Sequence, residues 1–136
     1  MPQLCEPFDP HSARDASLRS MEAVEAGDRE GWLGLFAADA VVEDPIGESP
    51  LDPSGRGHRG HDAIATFYDT VIGPNEVTFR IDQSWAAGDE VANVGTITTK
   101  MGDGTVVHTD GVFTYRVNEN GELVALRAYW EMARLY

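Results

Sequence analysis

A chain of 136 residues with ten Lys and Arg against 23 Asp and Glu carries a net charge of -13, which repels phosphate backbones and anionic lipid heads. Hydrophobic residues at 42%, charged residues at 24%, and three Trp, four Tyr and five Phe describe a globular chain rather than a disordered one. The length suits a single domain with room for a core and a ligand cavity.

Nucleic acid and membrane surfaces are therefore not expected partners. No apolar run approaches the length of a membrane span, and no basic start leads an apolar signal segment, so a cytoplasmic location is the expectation. The single cysteine, Cys5, has no internal disulfide partner and sits in a proline-rich leader far from any evident base; it reads as incidental.

Residues 1–11, "MPQLCEPFDPH", carry three prolines and no periodicity, so they are expected to form an irregular leader to one domain over residues 12–136. Ser12 heads a capping-box-like "SARD", and Leu18, Met21 and Val24 recur at helical spacing until Gly27, which predicts a first helix over residues 12–26. Asp28 is a suitable cap for a second, shorter helix through Trp32, Leu33 and Phe36 that ends near Ala38. "AVVEDP" is short, β-branched and closed by a proline, so it predicts a strand ending at Asp44.

A loop over residues 46–59 comes next and is expected to rim any cavity. "GHDAIATFYDTVI" places Ala63, Ile64, Phe67, Tyr68 and Val71 at helical intervals and predicts a third helix, closed by Gly73 and Pro74. From Glu76 the period changes to two. "EVTFRIDQSWAA", "EVANVGTITTKM", "TVVHTDGVFTYRV" and "ELVALRAYWEMARLY" are strand-like runs separated by hairpin turn residues. The expected fold is α+β: a strongly curved antiparallel sheet forming a conical barrel, with three N-terminal helices enclosing a pocket. Such a concave apolar space is a natural small-molecule site.

Glu43 and Asp44 are adjacent on the first strand, so their side chains alternate and only one faces the interior. Alternation alone does not say which, and two carboxylates at a strand end also fit solvent. His108 and Asp110 stand two apart on one strand. If Phe113 faces the cavity, alternation sends both outward, unless a bulge at Gly111 reverses the parity and turns Asp110 inward. No two histidines stand at i, i+4 on a helix and no His-x-His strand pair occurs, so no metal is expected. "GRGHRG" lacks the Lys-Ser/Thr ending of a phosphate loop and reads as turn chemistry. Trp32, Phe67, Phe113, Tyr115, Leu126, Ala128 and Trp130 are candidates both for core and for the lining that a flat apolar ligand would stack against.

The segments "AGDREGWLGLFAADAVVEDPIG", "GHDAIATFYDTVI" and "YRVNENGELVALRAYWE" resemble the ketosteroid isomerases and their SnoaL-like relatives in the nuclear transport factor two superfamily. That resemblance covers about residues 16–131 and is sharpest at "FAADAVVEDPIG". It implies a cone-shaped fold, a homodimer packed through the sheet, and proton transfer on a steroid-like apolar ligand without metal or organic cofactor. The family pattern is an aspartate base with an oxyanion hole of a tyrosine and a protonated aspartate. The resemblance places the base on Asp44, which implies that Asp44 is the interior acid and Glu43 its solvent-facing neighbour.

The two oxyanion donors fall on Ser20 and Phe113, so both standard groups are replaced. Phe113 offers no hydrogen bond and Ser20 is shorter than a tyrosine. Tyr68 matches the tyrosine of the family's "FY" pair and is a candidate replacement donor, with Ser20 and Asp110 the alternatives. The epoxide-hydrolase set of the same superfamily is broken, because its second aspartate falls on Ala128. Two other classes stay open at the level of sequence. One is a non-catalytic steroid or lipid binder; the other is a scaffold whose outer sheet holds a protein partner.

Overall fold

In the computed structural model, which describes residues 1–136, helix α1 spans Ser12–Glu25 and buries Ala13, Ala16, Ser17, Ser20 and Met21. Those positions repeat at three- and four-residue intervals, and four of the five side chains are small, so the helix lies close on the sheet. Its cap differs from expectation. Ser12 is already helical, and the His11 imidazole accepts from the Ala13 amide at 3.1 Å.

Helix α2, Arg29–Leu33, is capped by the Asp28 carboxylate, which accepts from the Gly31 amide at 2.9 Å. It stops well before Ala38, and strand β2 spans Phe36–Glu43. Two glycines in the segment weaken the helix, while Phe36 and Val41–Glu43 gain parallel pairing with the last strand. Tertiary pairing overrides local propensity here. Helix α3, Gly60–Phe67, runs on as a wider π turn over Tyr68–Ile72, closed by the Gly73 amide donating to the Tyr68 carbonyl at 2.7 Å.

The expected meander forms as β4 (Glu76–Ala87), β5 (Glu90–Lys100), β6 (Val106–Val117) and β7 (Leu123–Tyr129). Two short strands join it. Gln3–Leu4, in the leader expected to be irregular, forms β1 and pairs in parallel with Arg80–Ile81; His58–Arg59 forms β3 and pairs with Val41–Val42. The seven strands lie in the order β1-β4-β5-β6-β7-β2-β3. The result is an α+β fold of three helices against a curled, unclosed sheet. It is antiparallel through the meander and parallel at the β1–β4 and β2–β7 joints.

The sheet bends where glycines face each other. Gly95 on β5 is paired with Gly111 on β6, and a Cβ at Gly95 would lie 2.0 Å from the Arg80 carbonyl oxygen, one at Gly111 2.6 Å from the Tyr129 carbonyl oxygen. Beside Gly95 the β4–β5 register shifts between Ile81 and Gln83, a bulge of the kind that sharpens a bend. Under this crease Trp32, Met21, Ile64, Ile81 and Leu123 are fully enclosed between helices and sheet.

Gly95→Ala is expected to lower stability by about 1–3 kcal/mol, as overpacking a close backbone approach does. Gly102→Ala, in the β5–β6 turn with open space around it and no left-handed backbone, is the control expected to change little. Chemical denaturation of both variants measures the difference, and equal midpoints would show that the crease does not depend on the missing Cβ.

Candidate functional site

The inner face of the curled sheet and the helices bound a cavity of about 340 Å³, lined by 23 residues of which 17 are hydrophobic. That volume lies within the ~300–1,000 Å³ range of small-molecule sites. Trp32, Phe67, Phe113, Tyr115, Leu126 and Trp130 line it. Ala128 is wholly enclosed and belongs to the core instead.

Other lining residues lie outside that set. Val77 and Phe79 on β4, and Ile97 and Thr99 on β5, stand two apart and point inward, so the period-two pattern held the signal for them. Leu51 of the rim loop and Met132 and Leu135 of the C-terminal segment also face the cavity. Neither segment has a periodicity that could have marked them.

The polar groups of the cavity gather at one corner. Asp44 leaves the end of β2 and Trp130 the end of β7, and the parallel pairing of these strands sets them side by side. The Trp130 indole Nε1 donates to Asp44 Oδ1 at 2.6 Å. Burial raises the Asp44 carboxyl above its ordinary value, and the Trp130 hydrogen bond and the nearby His58 oppose that rise.

Tyr115 stands in the same corner. Burial is the main cause that drives its phenol well above the usual range, the Asp44 charge adds to this, and the nearby Ser20 hydroxyl opposes it. Ser20 Oγ also accepts from the Trp32 Nε1 at 3.1 Å. Two hydrogen-bonded pairs, Trp130 with Asp44 and Trp32 with Ser20, thus flank Tyr115 in this corner. Phe113 lies within the same lining, which leaves that wall apolar.

Glu43 is the exception to its expected place. It faces away from Asp44, as alternation requires, yet it is buried rather than solvent-facing and pairs with Arg127 at 3.3 Å. The β2–β7 register sets Glu43 opposite Arg127, and the rim loop covers the carboxylate. A Cβ at Gly57, whose φ is +85°, would meet Glu43 Cγ at 2.7 Å.

Two further candidates lie elsewhere. Tyr68 is buried against Trp32, with ring centroids 5.4 Å apart, but it does not line the cavity. Its phenol is raised by burial and feels Asp28, Arg29 and Asp69, which belong to the α2 side of the helical layer. Asp110 is exposed on the outer face, accepting from Thr96 Oγ1 at 2.6 Å and from the Tyr136 hydroxyl at 3.2 Å. The β5–β6 register is regular through Gly111, so no bulge turns Asp110 inward. His108 sits on the same outer face, beside Thr98 and the Tyr136 ring.

Among all residues, no group of three or more His, Cys, Asp or Glu side chains is arranged to hold a metal. No helix is long and apolar enough to cross a membrane.

A family model described as a SnoaL-like domain matches residues 18–126. The steroid Delta-isomerase of Nocardioides simplex is 30% identical over 116 residues, covering 85% of this chain and 86% of that protein. Among solved structures, the Δ5-3-ketosteroid isomerase from Mycobacterium sp. superposes with a TM-score of 0.90 at 43% identity, covering 93% of this chain and 98% of that one. A Mycobacterium tuberculosis protein in complex with estradiol-17beta-hemisuccinate superposes with a TM-score of 0.89 at 38% identity, covering 93% and 99%.

The raised Asp44 carboxyl bears on stability. The folded state holds this proton more tightly than the unfolded chain, so the contribution is full below the unfolded carboxylate value and is lost as pH rises through the folded one. At neutral pH, above the unfolded value, the desolvation of this carboxyl is a net cost to folding. Asp44→Asn, which keeps an oxygen for the Trp130 indole, is expected to raise the melting temperature at pH 7. A lower melting temperature in the variant would contradict the desolvation account.

Proposed function

The chain belongs to the SnoaL-like family and has the cone fold of the ketosteroid isomerases; on that footing we propose that it catalyses proton transfer next to a carbonyl on a steroid or similar polycyclic apolar ligand. The family relatives support a steroid-isomerase-like or SnoaL-type function. The observation that carries the finer reading is a single cavity-facing carboxylate, Asp44, held by Trp130 in an apolar chamber with a phenol beside it.

In this reading Asp44 takes the α-proton of a β,γ-unsaturated ketone. The C–H electron pair moves into a dienolate while an Asp44 O–H bond forms. The same proton is then returned to the γ-carbon, so the double bond migrates into conjugation and the carboxylate is regenerated. Burial makes Asp44 more basic than an exposed aspartate, and the Trp130 indole stabilises its ionised form.

The dienolate oxygen needs a donor, and Tyr115 takes that part. It lies in the lining with Ser20 behind it, whereas Tyr68 and Asp110 are outside the cavity. The Trp32 indole donates to Ser20, leaving the Ser20 hydroxyl proton for Tyr115 and the Tyr115 proton for the ligand oxygen. A high phenol pKa keeps that proton in place at neutral pH. The flat walls formed by Phe67, Phe113 and Leu126 stack the ligand's rings. The exposed Trp85 and Tyr129 on the sheet fit a homodimer formed through that outer face.

The same corner also favours a second reading, a binding module. Phe113 and Ser20 occupy the positions of the family's two oxyanion donors, and without a substitute the carboxylate has no partner to stabilise the dienolate. Conjugated-enone absorbance from a 3-oxo-Δ5-steroid separates the two. Wild type is expected to turn over, Asp44→Asn to lose about 10²–10⁴-fold, and Tyr115→Phe about 10²–10³-fold. An inert wild type that still binds a phenolic steroid tightly would establish the binder and overturn the isomerase.

A further inference from the structure

We propose that Thr99 and Thr109 form a second polar anchor in the cavity, one that hydrogen-bonds a neutral oxygen, a hydroxyl or a ketone, at the end of the ligand opposite the reacting carbonyl. The inference rests on the steroid-like reading and narrows it to ligands oxygenated at both ends.

The non-aromatic polar side chains of the lining are Ser20, Asp44, Thr70, Asn75, Thr99 and Thr109. The first four have partners in the protein. Ser20 accepts from Trp32 and Asp44 from Trp130, while the Thr70 hydroxyl donates to the Thr66 carbonyl at 2.9 Å and the Asn75 side-chain amide to the Val71 carbonyl at 2.9 Å. Thr99 and Thr109 make no side-chain hydrogen bond, yet neither hydroxyl is sealed within the protein, so both open on the cavity they line. Thr109 is only 8% exposed. A buried hydroxyl left unpaired costs stability that an apolar side chain of the same shape would not, so its presence points to a ligand rather than to packing.

Strand register orders these groups along the chamber. Tyr115 on β6 is opposite Leu126 on β7, which in turn lies beside Val42 on β2. The pairing of β6 with the end of β7 is Val112 with Tyr129, and a Cβ at Gly111 would meet Trp130 Cβ at 3.0 Å, so Trp130 stands level with Gly111 and holds Asp44 there. Thr109 comes one inward-facing step later, past the end of β7, and Thr99, paired with Val107, lies one step beyond that. Each step is roughly 7 Å. The two threonines are diagonal neighbours on adjacent strands, roughly 7–8 Å apart, near enough to address one oxygen from two sides.

The order along the cavity is therefore donor, base, then hydroxyl pair. A flat ligand whose carbonyl meets Tyr115 and whose α-carbon meets Asp44 carries its opposite end to Thr99 and Thr109. The lining holds no Lys, Arg or His, and Asp44 is its one charged group. A carboxylate or sulfate at the far end would lose its hydration without gaining a cation, so the anchor takes a neutral oxygen. A threonine hydroxyl both donates and accepts, which suits a ketone and a hydroxyl alike.

The test titrates the full chain calorimetrically with two phenolic steroids, estradiol and its analogue lacking the D-ring hydroxyl. In Thr99→Val/Thr109→Val, which keeps the side-chain shapes, estradiol is expected to bind about 2–10-fold more weakly for each hydrogen bond lost. The analogue is expected to bind as it does to wild type, or more tightly. Thr99→Ser/Thr109→Ser retains both hydroxyls and is expected to keep the wild-type ratio of the two affinities. Should the double valine variant fail to fold, Thr109→Val alone carries the comparison. Estradiol sulfated at the D-ring oxygen is expected to bind wild type more weakly than estradiol itself.

Equal losses for both steroids, no loss for estradiol, or a sulfate that binds as tightly as the free hydroxyl overturns the proposal. If wild type binds neither steroid, the steroid-like reading falls and takes the anchor with it. Binding of both, with no difference between wild type and the valine variants, removes the anchor alone.

Discussion

The parallel pairing of β2 with β7 is the constraint on which the site depends. Parallel neighbours need a long connection, and here most of the chain lies between them. Their shared register sets Val42 beside Leu126 and Glu43 beside Arg127. β2 ends at Glu43 and β7 two residues past Arg127 at Tyr129, and the next residue of each, Asp44 and Trp130, 86 residues apart in sequence, meet at 2.6 Å. The same pairing does two tasks on opposite faces. Inward it builds a carboxylate with one donor; outward it closes the other acid into an ion pair under the rim loop.

The inward face is held in electrostatic balance. An apolar chamber penalises the Asp44 charge, and a few polar contacts return part of what desolvation takes away. Trp130 supplies a hydrogen bond and His58 a charge that opposes the rise. Tyr115, raised by the same burial and by Asp44 itself, keeps its proton. On the proposed function one serves as base and the other as donor, the arrangement that proton transfer at a carbonyl requires. The resemblance places the family's tyrosine and aspartate at Ser20 and Phe113, and the proposed substitute donor is Tyr115, which enters from β6 two residues beyond Phe113.

Much of this was legible in the sequence, and the boundary of legibility is physical. The period-two runs marked the meander, and alternation from Phe113 put Tyr115 inward and His108 and Asp110 outward, all as observed. The family resemblance of "VEDP" marked Asp44 as the interior acid. The misplacements arose where tertiary pairing decides. Helix α2 yielded to β2 because β7 was waiting, Glu43 was buried by a loop whose path no local pattern gives, and Tyr68 turned its phenol toward the α2 side because a helix position fixes spacing but not which layer closes over it. The Asp44–Trp130 bond and the place of His58 depend on strand register across distant segments, which composition and periodicity do not encode.

The central claim is that Asp44 and Tyr115 address the same oxygenated end of a ligand, one as base and the other as donor. A crystal structure of the protein with a phenolic steroid bound tests it most directly. The account predicts the phenolic oxygen within about 2.5–3.0 Å of the Tyr115 hydroxyl, with the adjoining ring carbons beside the Asp44 carboxylate. A steroid seated with its oxygen away from Tyr115, toward Met132 and Leu135, would contradict it.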